Sequence, residues 1–273
     1  MEKMINKETK LCISLAGRPS NYGTCFHNYL YQALGLNYIY KAFTTNNLAA
    51  AIGGIRALGI CGSGISMPYK EACIEFVDKL DSSTRTIGSV NTIVNKNGNL
   101  EAYNTDYIAV QRLLNENKIS PAIPFVLKGS GGMAKAVASA LYDQGFKNGV
   151  ILARNPEKGR AFAKKYKYEW VADDTALASS GFNMLINATS MGMAGCYEEN
   201  ALAFPDQLIK QADIVFDVVA IPVETPLISF ATKLNKQVIC GADVAKIQAI
   251  EQFILYTGIR HENGLVEEAA AFA

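Results

Sequence analysis

Imidazole is scarce in this chain. His27 and His261 are the two histidines of 273 residues, and the six cysteines, at positions 12, 25, 61, 73, 196 and 240, include no C-x-x-C pair. Zinc sites draw on those two residue types at close spacing, so no metal is expected. Nor do the cysteines read as a disulfide framework. Cys12, Cys73 and Cys240 sit in apolar runs and read as reduced core thiols of an intracellular, cytoplasmic protein. Excess charge is missing too: 26 basic against 25 acidic residues leave +1. With no basic stripe and no like-charge tail, nucleic acid is not an expected partner. No apolar segment is long enough to span a bilayer, and the opening M-E-K-M-I-N-K-E-T-K has no apolar signal core, so no membrane is expected. No internal repeat or low-complexity tract is seen. The chain is 49% apolar, which predicts a sizeable core in one large or two ordinary domains.

The most informative stretch is P-F-V-L-K-G-S-G-G-M-A-K-A-V-A at 124–138. An apolar run reads as a buried strand. It enters Gly129, Ser130, Gly131 and Gly132, and then Met133, Ala134 and the residues of a helix. The spacing is G-x-G-x-x-A. Gly129 suits the tight turn, Gly131 lets the backbone approach a pyrophosphate, and Ala134 lets helix and strand pack closely. The helix N-terminus offers N–H groups and positive dipole to phosphate. Strand, glycines and helix in that order predict a dinucleotide site. The second strand, G-V-I-L-A, ends at Arg154, where an NAD site carries an acid. A guanidinium suits a 2′-phosphate, so the expected cofactor is NADP. Lys158 is kept among the cofactor contacts, although with Arg160 it also reads as the solvated start of a basic helix.

Taken in order, the first part of the chain reads as strand (10–16), helix ending at Gly35, strand (38–43), and a helix capped by Thr45 or Asn46 and running to Arg56. A glycine-interrupted strand follows at 58–67, then an amphipathic helix over 69–80. A hairpin follows, its segments 89–94 and 100–103 flanking Asn97-Gly98. A helix starts at Asp106, and 119–124 reads as a linker. Beyond the glycines, strands at 150–153, 170–172, 184–187, 214–218 and 237–240 alternate with helices, including 157–167 and 226–235. That predicts a parallel, doubly wound sheet. A final helix at 245–256 is expected to return to the first part. The fold class is α/β in two domains: a discontinuous substrate domain, 1–105 plus 245–273, and a Rossmann-type domain, 106–244.

Two ionisable residues of the first part stand out. Lys70 follows S-M-P-Y and reads as a helix start, where the dipole disfavours a cation. Asp106 follows Y-N-T at another helix start, where it also suits ordinary capping. Together they make a candidate acid/base pair, the lysine relaying a proton and the aspartate orienting it.

These residues carry a resemblance. The pieces are G-I-S-M-P-Y-K at 64–70, G-S-V-N-T at 88–92, Y-N-T-D at 103–106, G-S-G-G-M-A-K-A at 129–136, I-N-A-T-S-M-G-M at 186–193 and Q-A-I-E-Q-F-I-L-Y-T-G at 248–258. In order and spacing the chain resembles the shikimate/quinate dehydrogenase family over nearly its whole length. The resemblance implies NADP-dependent, reversible reduction of 3-dehydroshikimate to shikimate, with Lys70 and Asp106 as the catalytic pair. It implies that Asn91 and Gln248 hold the ring hydroxyls and that Ser66 fills the threonine place of the lysine motif. On the cofactor side it implies Arg154 and Asn155, then Ala188, Thr189, Ser190 and Met193 beside the nicotinamide, with Val218 and Gly241. A small shikimate-like acid is the expected partner, and either a monomer or a homodimer is compatible.

Departures from the family pattern bear on the substrate. The usual Ser-x-Ser-Pro before His27 is absent, and the loop is shorter. Ser20 and Thr24 are the candidate replacements for its hydroxyls. Gly64 stands for an asparagine, Tyr107 for a glycine, Ala220 for a tyrosine and Val244 for a methionine. Each lost polar partner at a buried site costs an intended substrate heavily. The alternatives are the same chemistry on quinate or another shikimate-like hydroxy acid, or a ligand sensor on a dehydrogenase fold. Retention of both Lys70 and Asp106 argues against the sensor.

Overall fold

A computed structural model describes residues 5–177, 181–260 and 263–273. The chain divides into two compact units. The first comprises Met1–Thr105 and Lys246–Ala273, the second Asp106–Ala245.

The first unit is a six-stranded mixed sheet. In chain order it contains β1 (Lys10–Leu15), α1 (Tyr22–Ala33), β2 (Tyr38–Phe43), α2 (Leu48–Ala57), β3 (Gly62–Ile65), a 3₁₀ turn (Ala72–Phe76), β4 (Lys79–Leu80), α3 (Ser82–Ile87), β5 (Thr92–Lys96) and β6 (Asn99–Tyr103). The strand order is β2-β1-β3-β5-β6-β4. β1 runs parallel to β2 and β3, whereas β5 is antiparallel to both β3 and β6. Alternation along β1 feeds two cores. Cys12 joins Phe26, Leu30, Tyr31, Tyr40, Phe253 and Tyr256 on one face. Ile13 and Leu15 join Ile52, Ile55, Ile65 and Ile93 on the other. The β5–β6 hairpin turns at Asn97 (φ 53°) and Gly98 (φ 90°), the positive-φ pair an Asn-Gly turn favours.

The second unit begins within α4 (Thr105–Glu116). It continues through β7 (Phe125–Lys128), α5 (Gly132–Asp143), β8 (Gly149–Leu152), α6 (Pro156–Tyr166), β9 (Glu169–Val171), β10 (Met184–Asn187), α7 (Asp206–Gln211), β11 (Ile214–Asp217), α8 (Pro226–Lys233) and β12 (Gln237–Ile239). All pairings are parallel, in the order β12-β11-β10-β7-β8-β9. This is the doubly wound order of two mononucleotide-binding halves. Its inner strands β8, β10 and β11 are buried along their whole length, as strands of a parallel sheet covered on both faces are. α9 (Gly241–Thr257) starts in this unit and ends in the first, where α10 (Asn263–Phe272) follows.

Several sequence expectations are corrected. Residues 69–80 do not form one helix. Turns lead into the 3₁₀ segment, and β4 then pairs with β6, so Lys70 sits in a turn rather than at an α-helix start. Asn47, not Thr45 or Asn46, caps α2, its side chain accepting from Ala50 N at 3.0 Å. The helix expected at 245–256 begins at Gly241, and α10 follows it. The hairpin's first strand starts at Thr92 rather than residue 89. Cys12 and Cys73 are buried thiols as expected, but Cys240 is only half buried and its Sγ donates to Asp243 Oδ2 at 3.1 Å. His261 lies outside the described residues.

Candidate functional site

In the first unit, Ser20 and Thr24 follow β1, Ser66 and Lys70 follow β3, and Asn91 precedes β5. Past β1, Gly17 N donates to Met67 O at 2.9 Å, and Ser66 N donates to Leu15 O at 2.9 Å, so the two exit loops are tied together. The Lys70 carbonyl accepts from Val90 N at 2.8 Å, which fixes its turn beside Asn91. Asn91 is buried and acts as a clamp. Its Oδ1 accepts from Thr105 N at 2.7 Å and from Thr92 Oγ1 at 2.8 Å, while its Nδ2 donates to Thr105 Oγ1 at 2.9 Å. Asp106 is the residue after Thr105. Thus one carboxamide fixes the chain on which Asp106 sits, and the residue before Asn91, Val90, ties down Lys70 through its N–H. Asn104, beside it, donates through Nδ2 to Ser89 O at 2.8 Å. Ser20 and Ser66 are exposed, Thr24 lies in the first turn of α1, and Gln248 is half buried on α9.

Two contributors here escaped the sequence reading. Gln252, one helical turn beyond Gln248, is buried, and its Nε2 donates to Asn91 O at 3.2 Å and to Thr92 Oγ1 at 3.1 Å. The i, i+4 spacing on α9 is the signal that marks it. Tyr40 is the other. It is buried, and a Cβ built on Gly64 would lie 3.0 Å from its hydroxyl oxygen. Register places Ser14, Gly64 and Thr92 side by side across β1, β3 and β5. The missing side chain at 64 is therefore replaced by a tyrosine hydroxyl reaching over from β2.

In the second unit, the candidate cofactor residues converge on the carboxyl ends of β7, β8, β10 and β11. Gly129 has φ 122°, a conformation open to glycine, and a Cβ there would meet Ala188 O at 2.8 Å. Gly131 is the N-cap of α5, brings no side-chain cap, and has open space where a Cβ would be. The N–H groups of Gly132, Met133 and Ala134 head a 12-residue helix, the arrangement that binds phosphate. Arg154 is exposed just beyond β8, next to the turn where Gly129 N donates to Leu152 O at 2.9 Å. Asn155 caps α6 by accepting from Lys158 N at 2.9 Å, so its carbonyl oxygen is engaged, while Lys158 itself is exposed. Arg160 stacks 4.7 Å from the Trp170 ring centre.

Residues 188–193 are held by Asn187. Its Oδ1 accepts from Thr189 Oγ1 at 2.6 Å, and its Nδ2 donates to Met191 O at 3.1 Å. Thr189 N also donates to Asn187 Oδ1 at 3.1 Å, which makes this an Asx-type turn. Met193 N donates to Ser190 O at 3.1 Å. Val218 N donates to Asn187 O at 3.0 Å, and Gly241 lies so close to the next peptide that a Cβ would fall 2.2 Å from Val219 O. These glycines, this uncapped helix and this guanidinium fit a 2′-phosphorylated dinucleotide.

Known proteins match the same architecture. The sequence profile of the shikimate dehydrogenase substrate binding domain matches residues 22–93. A shikimate dehydrogenase-like protein of Haemophilus influenzae is 52% identical over 270 residues, spanning 99% of this chain and 98% of its own. A shikimate dehydrogenase (NADP(+)) of Thermococcus kodakarensis is 35% identical over 276 residues, spanning 98% of each. Among solved structures, a shikimate 5-dehydrogenase from Thermus thermophilus in complex with NADP(H) and shikimate superposes with a TM-score of 0.83 at 26% identity, covering 96% of this chain and 98% of that one. With two relatives above 30% identity along almost its full length, the chain belongs to the shikimate dehydrogenase family.

Proposed function

We propose that this protein is an NADP-dependent oxidoreductase that reversibly reduces 3-dehydroshikimate to shikimate. The observation that carries the reading is the Asn91 clamp. A buried carboxamide uses its oxygen and one N–H to fix Thr105 and Thr92, and the adjacent Val90 N–H holds the Lys70 carbonyl, which is the arrangement expected of a site that must hold an ammonium and a carboxylate in register. The Gly131–Ala134 N–H groups would hold the pyrophosphate, Arg154 the 2′-phosphate, and the segments at 188–193 and Val218 the nicotinamide side. When bound, NADPH supplies the hydride for a ring carbonyl carbon. Lys70 gives a proton to the oxygen of that carbonyl and takes it back in the oxidative direction. Asp106 orients Lys70 and balances its charge. Asn91, through its second Nδ2 hydrogen, and Gln248 orient the ring hydroxyls, and Ser66, Ser20 and Thr24 present hydroxyls on the loops around them.

A second reading, the same chemistry on quinate or another shikimate-like acid, is favoured by one observation. The Tyr40 hydroxyl occupies the approach to Gly64, so the polar floor differs from that of a chain with an asparagine there.

The cofactor assignment is tested at Arg154. Arg154→Ser is expected to raise the NADP⁺ dissociation constant by about 10- to 100-fold, the worth of hydrogen bonds to a charged group, and to leave weaker NAD⁺ binding unchanged. Equal losses for both dinucleotides, measured by fluorescence titration, would remove Arg154 as the reader of the 2′-phosphate.

A further inference from the structure

Asp217 ends β11 with its carboxylate fully buried. Oδ1 accepts from Asn187 Nδ2 at 3.0 Å and from Val219 N at 3.1 Å, and Oδ2 accepts from Thr225 Oγ1 at 2.7 Å. Thr225 is committed as the α8 cap, accepting from Ile228 N at 3.1 Å. All three donors to Asp217 are neutral. Burial outweighs their help and pushes the carboxyl up to about 6, so at neutral pH the protein keeps a buried negative charge among dipoles alone. An amide would keep the two bonds at Oδ1 without that electrostatic cost, giving up only acceptance from Thr225.

The place of this charge suggests why it is kept. The strand order assigns β7, β8 and β9, with the glycine turn and Arg154, to one mononucleotide half, and β10, β11 and β12 to the other. A 2′-phosphate reader on the first half leaves the second half for the nicotinamide. Asp217 bonds directly to the two loops there, through Asn187, which precedes residues 188–193, and through Val219, which follows Val218.

We propose that Asp217 sets the charge preference of the nicotinamide half-site, its carboxylate favouring the cationic oxidised ring of NADP⁺ over the neutral reduced ring of NADPH. This rests on the NADP reading above. A charge in a low-dielectric surround acts over several ångströms with little screening. The two cofactor forms share carboxamide, riboses and phosphates and differ at that ring by one unit of charge. Loss of loop geometry is therefore felt by both forms, whereas loss of the charge is felt by one.

The test is calorimetric titration of wild type and Asp217→Asn with NADP⁺, NADPH and 2′-phospho-ADP-ribose at pH 8. The expected result is that wild type binds all three, and that the variant's affinity for NADP⁺ relative to NADPH falls by about tenfold. Binding of 2′-phospho-ADP-ribose is expected to stay unchanged. Asp217→Ser, a second neutral variant, is expected to give the same change in ratio if the first fails to fold. Equal changes for NADP⁺ and NADPH, or none, overturn the proposal and leave the cofactor reading standing. Wild type that binds none of the three overturns the cofactor reading itself, and the proposal with it.

Discussion

Lys70→Met is expected to lower turnover by about 10²–10⁴-fold, the usual contribution of a positioned general acid or base, while NADP⁺ binding stays at the wild-type value. Methionine keeps the length of the stem and removes the ammonium. The turn itself is held by backbone, with Val90 N on the Lys70 carbonyl and Cys73 N on the Tyr69 carbonyl at 3.0 Å, so the substitution leaves the fold in place. Substrate affinity is expected to fall by no more than about tenfold, the loss of one hydrogen bond to an oxygen that carries little charge in the ground state. The split between kcat and KM identifies the role. A large fall in kcat with a small rise in KM marks an interaction made chiefly in the transition state. Full turnover with unchanged affinity would remove Lys70 from the mechanism.

The second large effect is on stability. His27 is fully buried and stacked 4.4 Å from the Tyr40 ring, with Phe26, Tyr31, Phe253 and Tyr256 also around it. Neither ring nitrogen has a well-formed hydrogen bond among the described residues. Burial drives the imidazole down from 6.5 to about 3, outweighing the Gln252 carboxamide that opposes it. The unfolded chain therefore takes up a proton that the folded chain refuses. Stability is intact above pH 6.5 and is lost progressively as pH falls from 6.5 toward 3. The loss is about 2 kcal/mol at pH 5 and about 4–5 kcal/mol near pH 3. That is a large part of a typical domain's stability. Asp217 acts in the opposite sense. Its raised carboxyl returns about 1 kcal/mol to the folded state between pH 7 and 5, so the histidine is read by difference. Urea unfolding of His27→Phe at pH 7 and pH 5 is expected to show a smaller acid loss than wild type by about 2 kcal/mol. Equal losses in the two proteins would mean the buried imidazole is not the acid-sensitive group.

The second unit was legible in the sequence because its information is local. The central strands are apolar runs, α5, α6, α7 and α8 lie between strands, and residues 184–187 were read to the residue. The glycine turn was equally plain, since φ 122° at Gly129 and the uncapped start of α5 are direct consequences of the residues that spell them. Residues 69–80 failed for the opposite reason. Their spacing suits a helix, but Asp78 N donates to Leu100 O at 2.9 Å, and the Asp78 carboxylate accepts from Leu100 N at 2.7 Å and pairs with Arg56 at 2.6 Å. Those partners are distant in sequence, and edge pairing with β6 overrides the local period. The early start of α9 was hidden because glycine is a poor helix former. Close packing on Val219 is what places Gly241 there. In the site, the chemistry-bearing Lys70, Asn91 and Asp106 stood out, whereas Tyr40 and Gln252 did not. A tyrosine in an alternating strand reads as core, and its relation to Gly64 exists only once β2, β1 and β3 lie side by side.

The most direct test of the account is NADP⁺-linked oxidation of shikimate at mildly alkaline pH, followed at the nicotinamide absorbance, with quinate alongside. Turnover of shikimate with NADP⁺, lowered about 10²–10⁴-fold in Lys70→Met, is the predicted result. Bound NADP⁺ with no turnover of either acid would contradict it, leaving the family and the cofactor in place and the substrate elsewhere.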